Sequence, residues 1–257
     1  MLLHGRAGRV GVAVEDGRDD GFVLFVRVLD VAAQHGDLAE QLATAIRLGV
    51  FVAGEQLPAE RELADRLGVS RNTLREAIAA LRDSGLVTTR RGRGGGTVVT
   101  YAGRARCGDP TVLDGPPVRT GAALEDALDF RRVVEPGAAR LAATRRLSGD
   151  QREWLADSCR AVREADADSH RIADSRLHLA IATLTGSPMV VEAVTRAQAA
   201  LSEMLGQIPV LRSNIEHSHE QHDAVVAAIL DGDPDTARTT MEEHCDATSA
   251  LLRGLLG

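Results

Sequence analysis

The chain has 257 residues, of which 44% are hydrophobic and 26% charged, an ordinary composition for a protein with a buried core. This length suits two domains. No apolar run approaches the ~20 residues that cross a bilayer, and the amino-terminal residues lack the pattern of a signal peptide. We therefore expect a cytoplasmic protein without a membrane partner. The cysteines are few and widely spaced, which argues against a disulfide framework and favours reduced thiols: Cys107, Cys159 and Cys245.

The net charge of −7 is unevenly distributed along the chain. Residues 61–93 contain eight arginines and four acidic residues, whereas residues 121–257 contain fourteen arginines and twenty-two acidic residues. A basic segment on an acidic protein is typical of a DNA-reading domain joined to a domain of another kind. Ahead of it, residues 1–35 combine a stretch rich in glycine and charge with a short apolar run. We expect a partly disordered extension there, without a role in function.

Residues 36–100 predict a winged helix-turn-helix domain. Apolar residues recur at helical spacing in residues 37–50, 59–67 and 71–84, with Ser70 as a good N-cap and Gly85 placed to end the third helix. The short turn Leu67-Gly-Val-Ser is typical of a helix-turn-helix. Two β-type runs then flank the basic, glycine-rich sequence Arg90-Arg-Gly-Arg-Gly-Gly. This arrangement predicts a hairpin wing.

The third helix begins with side chains suited to phosphates and base edges. Four of them lie in its first turn and a half: Arg71, Asn72, Thr73 and Arg75. Arginine bonds bidentately to guanine, and a helix N-terminus attracts phosphate. Arg61 on the second helix lies beside them, and the wing arginines can follow the adjacent backbone or minor groove. The alternative is a solvated basic face, but here turn, capped helix and basic wing occur together.

The second half of the chain predicts only helices. Residues 101–120 carry glycines, prolines and the dipeptides Asp-Pro and Pro-Pro, which predict a linker. After it, helical patterns span 122–146, with a break or kink near Pro136, and 148–167, 169–185, 188–206, 214–230 and 234–255. Helices of this length joined by short turns predict an antiparallel bundle of six or seven helices in residues 121–257. The predicted fold is therefore mainly α.

Four polar residues of this bundle could form a metal site. Asp174 and His178 lie four residues apart and share a helix face, while His222 and His244 lie on later helices. A carboxylate and three imidazoles that converge in a bundle interior would suit a divalent metal and leave positions open for a ligand. The spacing alone also allows a second interpretation, because a histidine on a mostly apolar face is often a hydrogen-bonded core residue.

Four segments of the first domain carry a family resemblance: Gln56-Leu-Pro-Ala-Glu-Arg-Glu-Leu-Ala, Gly68-Val-Ser-Arg-Asn-Thr-Leu-Arg-Glu-Ala, Leu81-Arg-Asp-Ser-Gly-Leu-Val and Arg91-Gly-Arg-Gly-Gly-Gly-Thr-Val-Val. They resemble the GntR family of bacterial transcription regulators. One departure is Ala59, where the family often has a capping serine; a missing cap costs about 1 kcal/mol of stability. The resemblance implies that Arg61, Arg71, Arg75, Arg91 and Gly92 contact DNA, assisted by Ser70, Asn72 and Thr73.

Three segments of the helical half extend the resemblance: Phe130-Arg-Arg-Val-Val-Glu-Pro-Gly-Ala-Ala-Arg-Leu-Ala-Ala, Asp174-Ser-Arg-Leu-His-Leu-Ala-Ile-Ala-Thr-Leu-Thr-Gly-Ser-Pro-Met and His219-Glu-Gln-His-Asp-Ala-Val-Val-Ala-Ala-Ile-Leu-Asp-Gly-Asp. They resemble the effector domain (FCD) of the FadR-like branch of this family. Many such domains bind a metal through one aspartate and three histidines. The resemblance thus implies a divalent ion, Zn, Ni or Mn, held by Asp174, His178, His222 and His244. Members without this set bind other effectors, such as acyl thioesters.

Arg131 has two possible roles. It lies one helical turn before Glu135, so it either points into a cavity and holds the carboxylate of an effector or forms an intrahelical pair with Glu135. The sequence leaves both alternatives open. His217 and His219 flank His222 but point elsewhere on a helix, and we expect them at the surface or supporting the ligands.

Three functions compete. The first is a transcription regulator, most simply a repressor: a homodimer on a pseudo-palindromic operator, with half-sites about one helical turn apart, released by a small carboxylate effector. The second is a metal-dependent hydrolase with a DNA-binding domain. It lacks support, because the motif HExxH starting at His219 would need histidine at position 223, which is Asp223. The third is a DNA-binding protein with a purely structural dimerisation bundle. We predict the first, and no enzymatic activity.

Overall fold

A computed structural model describes residues 37–92, 95–102, 121–167, 169–208 and 212–256. The predicted extension at residues 1–35 and most of the predicted linker lie outside these ranges. Within these ranges, the first domain has three helices and a two-stranded hairpin. Its elements are α1 (Leu38–Arg47), α2 (Glu60–Leu67), α3 (Arg71–Asp83), β1 (Val87–Arg90) and β2 (Gly96–Val99).

Within the described residues, six helices form the second domain. They are α4 (Ala122–Ala143), α5 (Gly149–Glu164), α6 (His170–Leu184), α7 (Pro188–Leu205), α8 (Arg212–Asp231) and α9 (Pro234–Leu256). Helix α4 packs against α6, α7, α8 and α9 and so occupies the centre of the bundle. The predicted mainly α fold, a winged helix-turn-helix followed by a helical bundle, is confirmed. In the described ranges, each helix is too short or too polar to cross a membrane.

The helix-turn-helix depends on a left-handed glycine and a capping serine. Gly68 ends α2 with φ 64°, a conformation that glycine adopts without steric cost. Two residues later, the Ser70 hydroxyl accepts a hydrogen bond from the backbone N–H of Thr73 at 3.1 Å. Leu63 of α2 and Leu74 of α3 are both fully buried in the core of the domain. The recognition helix is therefore fixed at its start and along its inner face.

The wing is a short antiparallel ladder in which Val87 lies opposite Val99 and Arg90 opposite Gly96. The chain turns back tightly before β2: a Cβ atom on Gly95 would lie 2.3 Å from the carbonyl oxygen of Arg90. Only glycine leaves room for this approach. Steric crowding at the turn therefore explains why a glycine stands at this position of the wing tip.

The sequence predicts a break or a kink near Pro136, and of these the break is wrong, because α4 runs without interruption from Ala122 to Ala143. Proline in a helix interior removes one backbone hydrogen bond and crowds the preceding turn, at a cost of about 3 kcal/mol. Pro136 and Glu135 are buried, and small apolar residues follow in the core. Tertiary packing of the central helix thus offsets the local cost.

The loop after α1 packs against the second domain. Gly49 has φ 74°, and a Cβ atom there would lie 2.2 Å from Cγ2 and 3.1 Å from the carbonyl oxygen of Ile172, on α6. The apolar cluster at this contact includes Leu48, Val50 and Phe51 from the first domain and Ala138, Leu179 and Val191 from the second. The helix that carries Asp174 and His178 therefore contacts the DNA-binding domain directly.

The described cysteines are reduced and buried. Cys159 and Cys245 are free thiols in the bundle interior, which agrees with the expected absence of a disulfide framework among them. Cys107 lies outside the described residues.

Candidate DNA interface and metal centre

The first turn of α3 presents an exposed polar face. Asn72 and Thr73 are exposed, and so is Arg75, whereas Leu74 is fully buried. The Ser70 hydroxyl lies 2.8 Å from that of Thr73, and the Asn72 amide donates to Glu76 at 2.7 Å. These hydrogen bonds hold the predicted base-reading groups in position at the start of the helix.

The arginines of α2 and α3 lie on the same exposed surface. Nε of Arg75 donates to Oε2 of Glu60 at 2.9 Å, and their side chains are 67% and 41% exposed. An exposed ion pair contributes about 1 kcal/mol or less, so Arg75 can exchange Glu60 for a phosphate or a base at small cost. Arg61 and Arg71 are exposed beside this pair. Glu60 as a partner of Arg75 is not evident from the sequence, because the two lie on different helices.

The wing contributes a second exposed basic element. Arg91 and Gly92 are exposed, and Gly92 has φ 109°, in the region that favours glycine. Its carbonyl oxygen accepts a hydrogen bond from the N–H of Gly95 at 2.9 Å, which closes the turn. Arg93 lies outside the described residues. Every residue predicted to contact DNA is thus placed on the solvent side of α2, α3 or the wing.

Three histidines from three helices converge in the bundle interior. His178 on α6, His222 on α8 and His244 on α9 are buried, and each offers a ring nitrogen within 4.8 Å of the other two. Asp174 lies beside two of them: its Oδ1 is 3.4 Å from Nε2 of His222 and its Oδ2 is 3.9 Å from Nε2 of His178. The structure therefore brings together the four residues predicted as metal ligands.

The inner ring nitrogens lack protein partners. Nε2 of His178, His222 and His244 is buried and makes no hydrogen bond to any described residue. A buried polar atom left unpaired costs roughly 1–3 kcal/mol, and native cores normally avoid it. Two of these nitrogens also lie 3.4 and 3.9 Å from the Asp174 carboxylate, and imidazole nitrogens with a carboxylate match the ligand preference of Zn, Ni or Mn. The donor set therefore fits a divalent ion better than a group of ordinary core histidines.

Two of the imidazoles have polar partners on their Nδ1 side. Nδ1 of His244 forms a hydrogen bond with Oε1 of Gln221 at 3.2 Å; with the proton on Nδ1, the lone pair on Nε2 is left for a ligand bond. Nδ1 of His178 lies 2.9 Å from Oε2 of Glu135, an ion-pair contact without hydrogen-bond geometry. The positions of Glu135 and Gln221 are not visible in the sequence, since each lies on a different helix from the histidine that it contacts.

The charge states suit metal binding at neutral pH. Burial raises the pKa of Glu135, but the Arg131 guanidinium and the His178 ring outweigh burial and hold this pKa at about 2. Burial, opposed by Asp174, lowers the pKa of His222 to about 3. Burial and the neighbouring His222 lower the pKa of His244 well below its ordinary value. Neutral imidazoles and ionised carboxylates are the forms that coordinate metals.

Arg131 has both an internal partner and free donors. Its side chain is buried, and its Nε donates to Oε2 of Glu135 at 3.1 Å, so the intrahelical pair is present. Its two terminal nitrogens are buried without a hydrogen-bond partner among the described residues. Because a guanidinium offers five N–H donors, the pair with Glu135 leaves donors available, and contact with an effector stays a prediction.

Arg131, Asp174 and His244 line a cavity of about 400 Å³. This volume lies within the range of small-molecule sites. The remaining walls come from α6, α7, α8 and α9, and they combine polar side chains near Asp174 with leucines and isoleucines elsewhere. The predicted metal ligands and Arg131 therefore border a space in which a small molecule would fit.

A further histidine of the site was not predicted from the sequence. His170 is buried and lines the cavity, and it precedes Asp174 by the four residues that separate Asp174 from His178. This helical spacing could have revealed it. His217 is exposed and also lines the cavity, while His219 is partly buried with its ring centroid 5.3 Å from that of His170.

An arginine-rich recognition helix and wing on one domain, and a polar cavity on the other, define a DNA-binding transcription regulator. Residues 34–99 match the family described as bacterial regulatory proteins, gntR family, and residues 126–247 match the FCD domain. The chain belongs to the GntR family of bacterial regulators, and the similar proteins described below are transcription regulators, not enzymes.

Two curated relatives and one solved structure show the extent of this similarity. The "Putative L-lactate dehydrogenase operon regulatory protein" of Escherichia coli is 34% identical, over 80% of this chain and 83% of its own. The Glc operon transcriptional activator of E. coli is 29% identical, over 80% of this chain and 84% of its own. The structure of McbR/YncC from E. coli covers 89% of this chain and 99% of its own, with a TM-score of 0.51 and 17% identity, which shows the shared fold.

Proposed function

We propose that the protein is a homodimeric repressor that binds a divalent metal and a small carboxylate, and that this carboxylate releases it from a pseudo-palindromic operator in the cytoplasm. The observation that carries the proposal is the meeting, in one buried site, of three imidazoles with unpaired Nε2 atoms and an arginine with unpaired terminal nitrogens. A metal would satisfy the unpaired imidazole nitrogens, and a carboxylate would satisfy the unpaired guanidinium nitrogens.

The metal ligands and Arg131 together would form a positively charged site for the carboxylate. Asp174, His178, His222 and His244 would hold the metal, which when bound would add positive charge and open positions for a ligand oxygen. Arg131 lines the same cavity, and its terminal nitrogens can donate to a carboxylate in bidentate geometry. The relative named for an L-lactate dehydrogenase operon makes L-lactate the first carboxylate to test.

Helix α6 offers a route from this site to DNA. Asp174 and His178 lie on the same helix as Ile172, which is in contact with Gly49 of the DNA-binding domain. A ligand that shifts α6 therefore displaces a surface on which the DNA-binding domain rests. The coupling requires that the ligand bind one arrangement of the two domains more tightly than the other.

An exposed apolar face on α4 and α7 supports a dimer. Val133 and Met189 are 75% and 79% exposed, and Phe130 shares the face of Val133 one turn earlier. The Arg196 guanidinium lies 5.8 Å from the centre of the Phe130 ring, which joins the two helices along this face. A second copy that covers this patch would place two recognition helices for a two-fold symmetric operator.

The sign of regulation is part of the proposal. Release on effector binding makes the effector-free protein a repressor. The relative named Glc operon transcriptional activator shows that the opposite sign occurs among similar proteins. A reporter gene behind the operator distinguishes the two, because repression predicts higher expression when this protein is deleted.

Calorimetric titration of the metal-loaded protein with hydroxy- and oxo-carboxylates, L-lactate among them, tests the proposal. We expect binding that disappears after chelator treatment and in Arg131→Gln, and that persists in Arg132→Gln, whose exposed side chain pairs with Asp246. Circular dichroism checks that both variants fold. No metal uptake and no carboxylate binding would instead favour a purely structural bundle, and metal-dependent turnover of esters or amides would favour a hydrolase.

A further inference from the structure

The cavity beside Arg131 is elongated along the bundle axis. Its wall on α9 extends from His244 to Leu251, a distance of about 10 Å at ~1.5 Å per residue. Its wall on α8 covers a similar distance, from Gln221 to Asn214. The metal ligands lie at one end of both walls. A ligand whose head group occupies that end therefore has about two helical turns of space in front of it.

Apolar side chains of α7 and α9 line the other end of the cavity, where Asn214 of α8 also lies. The apolar lining there comes from the end of α7, the turn that follows it and the end of α9: Leu201, Leu205, Ile208 and Leu251. Leu201 and Ile208 are buried and belong to a cluster that includes Leu124 and Leu128 of α4. The leucine end of the cavity is thus continuous with the hydrophobic core and suits a hydrocarbon group.

A second arginine, Arg171, also lines the cavity. Its Nη2 donates to the carbonyl oxygen of Ile208 at 2.8 Å, which ties the guanidinium to the main chain after α7. Burial lowers the pKa of Arg171. Among the fully buried guanidinium nitrogens of the described residues, those without a hydrogen-bond partner belong to Arg131, at the metal end. We therefore place the carboxylate of the ligand at Arg131.

The length of the cavity bears on the size of the ligand. Its volume of about 400 Å³ lies within the range of small-molecule sites, and its walls on α8 and α9 each extend for about two helical turns. A three-carbon hydroxy acid is shorter than these walls. Such a small acid, held at Arg131, would leave the leucine end to water, which finds few polar partners there.

We propose that the natural effector is an amphipathic monocarboxylate of medium chain length, with its carboxylate at Arg131 and the histidine cluster and its hydrocarbon tail among Leu201, Leu205, Ile208 and Leu251. This inference rests on the proposed function, because it places the head group at the carboxylate site. It adds that affinity comes from the tail, since burial of apolar surface is the main favourable term in such binding.

Calorimetric titration of the metal-loaded protein with 2-hydroxy acids of increasing length tests this inference. The probes are L-lactate, 2-hydroxyhexanoate, 2-hydroxyoctanoate and the dicarboxylate 2-hydroxyadipate. We expect the dissociation constant to fall by about fourfold for each methylene group that is buried, and to level off near 2-hydroxyoctanoate. We expect 2-hydroxyadipate to bind less tightly than 2-hydroxyhexanoate, because its second carboxylate meets the leucine end.

Leu251→Asn identifies the tail site. This change should raise the dissociation constant of 2-hydroxyoctanoate by tenfold or more and leave that of L-lactate within about twofold, because only the longer acid reaches the substituted residue. The matched control is Leu255→Asn on the same helix, where the side chain is 46% exposed; it should change neither value.

The outcomes separate this inference from the function on which it rests. L-lactate that binds as tightly as 2-hydroxyoctanoate, or 2-hydroxyadipate that binds best, overturns the inference and leaves a carboxylate-responsive regulator. Failure of every acid to bind the metal-loaded protein overturns both. A chain-length dependence that is lost in Leu251→Asn alone supports both.

Discussion

Single hydroxyl groups decide how firmly the two helices of the DNA-reading unit begin. Ser70 caps α3, whereas Ala59 stands at the N-cap of α2 with suitable backbone angles, φ −55° and ψ 138°, and no side-chain hydrogen bond. We predict that Ala59→Ser stabilises the protein by about 1 kcal/mol, and that Ser70→Ala destabilises it by a similar amount. Urea denaturation measures both. No gain from Ala59→Ser would mean that the start of α2 does not limit stability.

His222 tests whether the buried histidines are ligands or ordinary core residues. Both of its ring nitrogens are buried without a hydrogen bond, although Nε2 lies 3.4 Å from Oδ1 of Asp174. Because His222→Leu removes these unsatisfied atoms, the metal-free protein should be equally stable or more stable. The metal-loaded protein should lose the stabilisation that binding adds, about 2.7 kcal/mol when the metal concentration is a hundred times its dissociation constant. Thermal unfolding with and without chelator measures the difference.

The control for this substitution is His219→Leu on the same helix, outside the cluster of three histidines. It should retain the metal-dependent rise in melting temperature. If His222→Leu lowers the melting temperature equally with and without metal, the assignment of His222 as a ligand is contradicted.

At the scale of elements, the recognition helix should bind DNA through its first turn and not through its last. Arg71 is exposed at the N-terminus of α3, while Arg82 is exposed in its last turn and lies 3.4 Å from the Thr89 hydroxyl. We predict that Arg71→Ala weakens operator binding by about 1–3 kcal/mol, and that Arg82→Ala has a much smaller effect. Fluorescence anisotropy on a selected operator measures both, and equal effects would contradict the predicted docking of α3.

The boundaries of the elements show what local sequence can predict. Ser70 and Gly85 determine the ends of α3 through hydrogen bonding and backbone conformation alone, and both are readable from residue type. Pro136 misled the same reasoning, because its effect is decided by the burial of α4 among four other helices. Contacts between distant residues, such as those of Glu135 with His178 and Gln198, leave no local signal.

The contact between the loop after α1 and α6 should be sensitive to a single methyl group. Gly49→Ala combines left-handed backbone strain, about 1–2 kcal/mol, with a Cβ position 2.2 Å from Ile172. Gly85 has a similar φ of 71°, but a Cβ atom there would meet no described atom within 4 Å, so Gly85→Ala carries the strain alone. We predict that Gly49→Ala is the more destabilising by at least about 1 kcal/mol. Equal losses in urea denaturation would contradict a tight contact between the domains.

At the scale of the whole molecule, the sequence indicates the two domains and the metal ligands more clearly than the cavity and the contact between the domains. The spacing of Asp174 and His178 predicts a shared helix face, and the resemblance adds His222 and His244. The cavity, its apolar end and the contact of Gly49 with α6 arise only when the helices pack. These features require the relative positions of at least three helices, which residue periodicity does not contain.

The central claim is that a carboxylate in the bundle controls DNA binding through α6. Anisotropy titration of the metal-loaded protein on its operator, with and without a saturating carboxylate that calorimetry has shown to bind, tests it most directly. We predict that the carboxylate weakens operator binding by about 5- to 150-fold, the usual range of allosteric coupling, and that Arg131→Gln abolishes this effect while keeping operator affinity. An operator affinity that is unchanged when the carboxylate is bound would contradict it.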